Sequence, residues 1–292
     1  MIKKVLKFLY KSVPGKQYIF TFLKSLVIPP HSIYRHLYFN GIISFRVNGK
    51  KIKMHQKGYD VENTLFWEGV QGCWEKVSID LWIKLCKDAG VILDVGANTG
   101  AYALIAKTIN NNARVIAFEP LDFIWQMLQN NAQLNNLNIE SIPVALSNYD
   151  GKGEVYMESE EHLYAVTVNK NLTNNQTSII KKEIVTKRLS TIINELSIPF
   201  IDIMKIDVET HEPEVLAGMN EYLVKWKPTL LIEILSNEVA EKVEKIVHGL
   251  GYLFYNINEN GGIRKVDKLE KSDYYNYLFC SPEKAAFLNI VK

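Results

Sequence analysis

Apolar residues near the start recur at helical spacing: Ile2, Val5, Leu6, Leu9 and Val13, with Lys3, Lys4, Lys7 and Lys11 beside them. This spacing predicts a basic amphipathic helix. Pro14-Gly15 ends it, and Pro29-Pro30 marks a second break. From Ile42 to His55 the period becomes two. Ile43, Phe45 and Val47 alternate with polar residues, Asn48-Gly49 intervenes, and Ile52 and Met54 resume the alternation. Asn-Gly between alternating runs predicts a β-hairpin. A helix over about Trp74 to Lys87 follows, with Val77, Leu81, Ile83 and Leu85 on its apolar side and Gly90 closing it.

Beyond Gly90, short apolar runs alternate with helical patterns. The runs are Val91–Val95, Arg114–Phe118, Ile139–Val144, Ile201–Ile206 and Thr229–Ile234. The helical stretches are Ala101–Ile109, the set Leu121, Ile124, Trp125, Leu128 and Ala132, a segment opened by Pro213, and Val239–Leu250. Strands of this length between helices predict an α/β fold, a largely parallel sheet covered on both faces. Residues 150–190 fit poorly. Asp150-Gly151 reads as a turn, and Val155 and Glu183–Thr186 read as extra strands around a polar loop that holds His162 and Tyr164.

Charge sharpens this division. Residues 1–59 hold twelve Lys or Arg and no acid, whereas the remaining 233 residues hold 22 basic and 32 acidic side chains. The chain therefore reads as a basic N-terminal extension, residues 1–59, on an acidic body, residues 60–292. A basic arm suits an anionic contact such as phosphate or lipid head groups, or packing against its own acidic body. The longest apolar stretch, Tyr18 to Pro30, is shorter than the ~20 residues of a membrane span and carries Lys24. Three cysteines without Cys-x-x-Cys spacing give neither a disulfide framework nor a zinc site. The expected location is cytoplasmic, with peripheral contact at the inner membrane face through the basic arm. No basic, aromatic-lined RNA module is visible, so nucleic acid ranks behind small molecules as a partner.

Candidate chemistry lies at two strand ends. Asp94, Gly96, Ala97, Asn98 and Gly100 form a turn between a strand and a helix, where a missing Cβ lets backbone approach a ligand. Glu119 ends the next strand, and a carboxylate there can accept both hydroxyls of a ribose. The dinucleotide fingerprint Gly-x-Gly-x-x-Gly is absent, because Asn98 stands where its middle glycine would seat a pyrophosphate. A phosphate-free nucleoside such as S-adenosylmethionine suits the looser turn better than a nicotinamide cofactor. The second constellation is Lys205, Asp207, Glu209 and His211, at positions that share a face if the chain stays extended.

The segments Asp94–Gly100, Phe118-Glu119-Pro120 and Lys205–Gly218 resemble the FkbM family of S-adenosylmethionine-dependent methyltransferases, over about residues 60–260. The resemblance implies a class I methyltransferase fold, Rossmann-like and three-layered, with a mostly parallel seven-stranded sheet and one antiparallel edge strand. Outside it lies the N-terminal helical and hairpin extension, whose Pro29–His36 segment resembles extensions of members linked to glycan synthesis. The implied reaction is O-methylation of a sugar, glycan or secondary-metabolite hydroxyl, in polysaccharide or metabolite biosynthesis. The one departure is Thr210, where the family more often has glycine.

A hydroxyl acceptor calls for a general base, and His211 fits by its ordinary pKa. Asp207 or Glu209 would orient it or face the sulfonium. Gly96, Ala97 and Gly100 would shape the pocket, Glu119 would hold the ribose, and Ala145 and Leu146 would flank the adenine. Alternatives are a divalent metal held by Asp207, Glu209 and His211, a nicotinamide-dependent oxidoreductase, and a non-catalytic nucleoside-binding protein of the same fold.

Overall fold

The computed structural model describes residues 13–72, 75–157 and 180–290. The helix expected over Ile2–Val13, the His162–Tyr164 loop, Cys73 and Trp74 therefore lie outside the described residues or at their edge. In chain order, α1 (Lys16–Leu26) and the short α2 (His31–Tyr34) lead into the hairpin β1 (Gly41–Val47) and β2 (Lys50–Gln56). Next come α3 (Asp60–Trp67), α4 (Gly69–Gly72) and α5 (Lys76–Cys86). The alternating body begins with β3 (Val91–Val95), α6 (Ala101–Ile109), β4 (Arg114–Phe118), α7 (Asp122–Leu134) and β5 (Glu140–Ile142). Three strands then form a side sheet: β6 (Ala145–Ser147), β7 (Gly151–Met157) and β8 (Ile180–Arg188). The chain returns through α8 (Leu189–Glu195), β9 (Ile203–Ile206), α9 (Glu212–Ala217), α10 (Glu221–Trp226), β10 (Thr229–Glu233) and α11 (Asn237–Val247). It closes with β11 (Leu253–Asn258), β12 (Gly262–Val266), β13 (Asn276–Cys280) and α12 (Pro282–Phe287).

The main sheet has the order β12-β11-β13-β10-β9-β3-β4-β5. It is eight-stranded, one more than expected. The pairs from β10 through β5 are parallel, whereas β13 runs antiparallel between β10 and β11. β13 is thus an interior antiparallel strand, and the extra strand β12, itself antiparallel to β11, folds back through a turn at Asn258–Gly262 to form an antiparallel edge.

Strand side chains alternate between two cores, as the period of two demands. Ile92, Ala117 and Leu231 join one core with α5 and α6, and Leu93, Ile116 and Leu230 join the other with α8, α9 and α11. The hairpin belongs to the first core, because Ile43, Phe45, Val47, Ile52 and Met54 are buried in it. Asn131, fully buried on α7, ties the hairpin to the body. Its side chain accepts from His55 N at 2.8 Å and donates to Thr99 O at 2.9 Å.

Candidate active site

The turn after β3 folds over the end of β4, where the Gly96 and Ala97 N–H groups both donate to Phe118 O, at 3.1 and 2.9 Å. Gly96 has φ +79°, and a Cβ there would lie 1.9 Å from the carbonyl oxygen of Asp207. The glycine therefore brings the first constellation into backbone contact with the second. Asn98 also adopts a left-handed conformation, φ +49°, its side chain accepting from Thr99 N. Its own N–H donates to Glu119 Oε2 at 3.1 Å, while Leu121 N donates to Oε1 at 3.0 Å. These two bonds fix the carboxylate at the end of β4. Burial nevertheless pushes the Glu119 carboxyl up to about 7. Asp94 is buried too and accepts from Ala103 N at 2.9 Å; desolvation outweighs nearby Lys205 and pushes it up to about 6. Gly100 caps α6 against Leu128 and does not line the cavity.

The second constellation departs from extended geometry. β9 ends at Ile206, and the chain then turns through two left-handed residues, Glu209 at φ +53° and Thr210 at φ +77°. Lys205 and Asp207 still share a side and pair at 2.6 Å. Burial alone would push the Lys205 ammonium down, but Asp207, Glu75 and Asp94 hold it above the ordinary lysine range. Burial pushes Glu209 up to about 7. Beneath the turn, the fully buried Glu212 accepts from Val208 N at 3.1 Å and Thr210 N at 3.3 Å through Oε1, while its Oε2 has no partner. Desolvation pushes this carboxyl up to about 8.

His211 caps α9, and two residues the sequence did not single out lie beside its ring. Its Nε2 lies 3.0 Å from Ser147 Oγ, and its Nδ1 lies 3.6 Å from Glu214 Oε2. The strand β6 can come this close because Gly218 ends α9, where a Cβ would sit 2.1 Å from Ser147 O. Burial lowers the imidazole pKa, against the pull of Glu214, and favours the neutral ring.

Both constellations face one cavity of about 310 Å³. Asp94, Gly96, Ala97, Asn98, Glu119, Ala145, Leu146, Asp207, Glu209 and His211 line it, and so does Val208, freed from its expected opposite face when the strand ends. Three further groups were missed. Glu75 accepts from Tyr102 Oη at 2.9 Å and from Asn276 Nδ2 at 2.8 Å, and the Tyr102 ring lies 4.5 Å from Lys205 Nζ. Glu233 ends β10, with one carboxyl oxygen unpartnered, and is pushed up to about 10 by burial beside Asp207 and Glu209. Its signal was available, since it ends an apolar strand as Glu119 does. Asp60, from α3, is the third. Seven carboxyl side chains thus line the cavity, against Lys205 and His211 alone as basic ones. Among the described residues, no group of three His, Cys, Asp or Glu is arranged to hold a metal ion, so the metal alternative finds no ligand set there.

A sheet of this order, with a crevice at the carboxyl ends of its central strands, is a class I methyltransferase fold. Residues 94–257 match the methyltransferase FkbM domain, and the chain belongs to that family. It is 28% identical over 156 residues to methyltransferase sdnD of Sordaria araneosa, covering 44% of this chain and 60% of that one. It is likewise 28% identical over 149 residues to hexuronic acid methyltransferase AglP of Haloferax volcanii, covering 51% and 58%. The chain thus spans about three fifths of the length of these relatives. A solved methyltransferase FkbM from Methylobacillus flagellatus is similar at 16% identity and a TM-score of 0.42, covering 66% of this chain and 44% of that one.

Proposed function

We propose that the chain transfers a methyl group from S-adenosylmethionine to a hydroxyl of a sugar, a glycan or a secondary metabolite. The acid excess of the cavity carries this reading. Seven carboxyl side chains against one ammonium and one imidazole suit a ligand with a sulfonium and an ammonium, whose charge would offset the burial that pushes Glu119, Glu209 and Glu233 up, and oppose a pyrophosphate. Family membership leaves the nicotinamide alternative without support. Glu119 fits a ribose, since each oxygen accepts one backbone N–H and keeps acceptor capacity for a hydroxyl.

Bound there, S-adenosylmethionine would supply an electrophilic methyl group. The backbone of Gly96–Asn98 and the carboxylate of Glu119 hold the nucleoside, with Ala145 and Leu146 as apolar walls. Asp207, held by Lys205, presents negative charge to the sulfonium side. His211 takes the acceptor proton at Nε2, which requires the Ser147 hydroxyl to turn aside or pass the proton on. Glu214, beside Nδ1, steadies the imidazolium that results. Positioning of the two reactants supplies most of the acceleration. The carbohydrate class of acceptor is supported by the relative named a hexuronic acid methyltransferase.

Calorimetry with S-adenosylhomocysteine and with NADH tests the cofactor. Heat from the first alone is expected, and heat from NADH alone overturns the reading. Labelled methyl transfer to a panel of sugars, nucleotide sugars and glycans then tests the acceptor. Cofactor binding without transfer to any hydroxyl would favour the non-catalytic alternative.

A further inference from the structure

The helix α1 is docked by one face only. Phe20 is its sole fully buried residue, with its ring 5.9 Å from Trp67 and 6.4 Å from Phe39. Gln17 donates to Ile42 O at 3.0 Å, and the Lys24 ammonium donates to Phe66 O, on the same side of the helix. Away from this face, Tyr18, Phe22 and Leu26 follow one another at i, i+4 and i+8, exposed at 82%, 67% and 69%. Ile19 borders the stripe, and Val27, Ile28 and Ile33 continue the exposed apolar surface past the helix. Scattered exposed apolar residues are ordinary, but a continuous stripe of this kind marks a binding surface.

The charge of the stretch of chain that carries the stripe selects its occupant. Residues 1–59 carry twelve Lys or Arg and no acid, and Lys3, Lys4, Lys7 and Lys11 precede the helix directly. No helix among the described residues is long and apolar enough to cross a membrane. We infer that α1 and the segment through Ile33 form a surface that seats on an anionic lipid bilayer, with Tyr18, Phe22 and Leu26 entering the head-group boundary and the basic residues meeting the phosphates. A second copy of this chain would bring two stretches of like net charge together, each with twelve Lys or Arg and no acid of its own over residues 1–59, which electrostatics opposes. An anionic bilayer satisfies both the apolar stripe and the charge.

Flotation of the full chain with vesicles tests this. Binding is expected to vesicles rich in phosphatidylglycerol and to be weak with pure phosphatidylcholine, falling as salt is raised. The double variant F22D/L26D, checked for unchanged thermal unfolding, should lose binding by about tenfold or more, because two exposed apolar side chains no longer enter the interface. Its affinity for S-adenosylhomocysteine, measured without vesicles, should be unchanged. Equal binding of variant and parent overturns the inference. So does light scattering that finds the parent dimeric and the variant monomeric, since a second copy would then be the occupant.

Discussion

Thr210 has a conformation that its side chain opposes. Its φ of +77° lies in the left-handed region, and its Oγ1 is buried with no partner. A Cβ in that region costs roughly 1–2 kcal/mol, and β-branching makes it worse. A buried hydroxyl without a partner costs about 1–3 kcal/mol. Thr210→Gly removes both, against roughly 0.5–1 kcal/mol of added chain entropy in the unfolded state. The net gain is about 2 kcal/mol, or a melting temperature higher by about 4 °C for a chain of this size. Thr210→Ala removes the hydroxyl and the branch but keeps the Cβ, so it should fall between glycine and threonine. The bond from Thr210 N to Glu212 is available in all three, so differences report the side chain. Urea midpoints and thermal melts of the three proteins provide the measurement. A glycine variant melting at or below the parent would refute the account of strain.

Glu119→Ala should weaken S-adenosylhomocysteine binding by about tenfold or more in calorimetry, since a carboxylate fixed by two N–H groups is lost. His211→Ala should lower kcat by 10²–10⁴-fold, in the range of a lost general base, and leave the cofactor affinity within about threefold; a normal rate removes the base role. Ser147→Ala should raise the pH at which the rate reaches half its plateau if the hydroxyl hinders protonation of His211, and an unchanged pH profile would leave Ser147 a packing residue only. Glu212 has its carboxyl raised from 4.5 to about 8. Between those pH values the unfolded chain releases this proton and the folded chain keeps it, so the group lowers stability as pH rises. Glu212→Gln should therefore match the parent near pH 4.5 and exceed it by several kcal/mol above pH 8, at ~1.4 kcal/mol per pKa unit. Parallel stability curves for the two proteins would contradict this.

The alternating body was legible because β3, β4, β9 and β10 are short, mainly apolar runs, whereas β7 and β8 of the side sheet are largely polar and broke the pattern. The first hairpin was legible for a similarly local reason, as Asn48 and Gly49 adopt φ +46° and +79°. The second hairpin also carries an Asn-Gly pair, Asn260-Gly261, but its left-handed residue is Gly262, its strands β11 and β12 lack clean alternation, and the eighth strand went unread. Helix α3 was hidden because Glu62, Asn63 and Thr64 are as buried as Leu65, so the helix has no polar face to give it a period. At the site, Glu119 was readable as a carboxylate ending an apolar strand. The path past Asp207 was not, since nothing local announces left-handed Glu209 and Thr210. The Ser147–His211 contact joins residues 64 apart and depends on Gly218, which no local pattern could reveal.

The 1.9 Å clearance that forbids a Cβ at Gly96 has an evolutionary consequence. The turn after β3 and the turn after β9 are locked together at that point, so neither can drift, lengthen or be grafted from a cousin without the other. In the proposed reaction, new acceptor preferences would arise elsewhere around the rim, on α3, α5 or the side sheet, where the wall of the cavity can be rebuilt without prising the two turns apart.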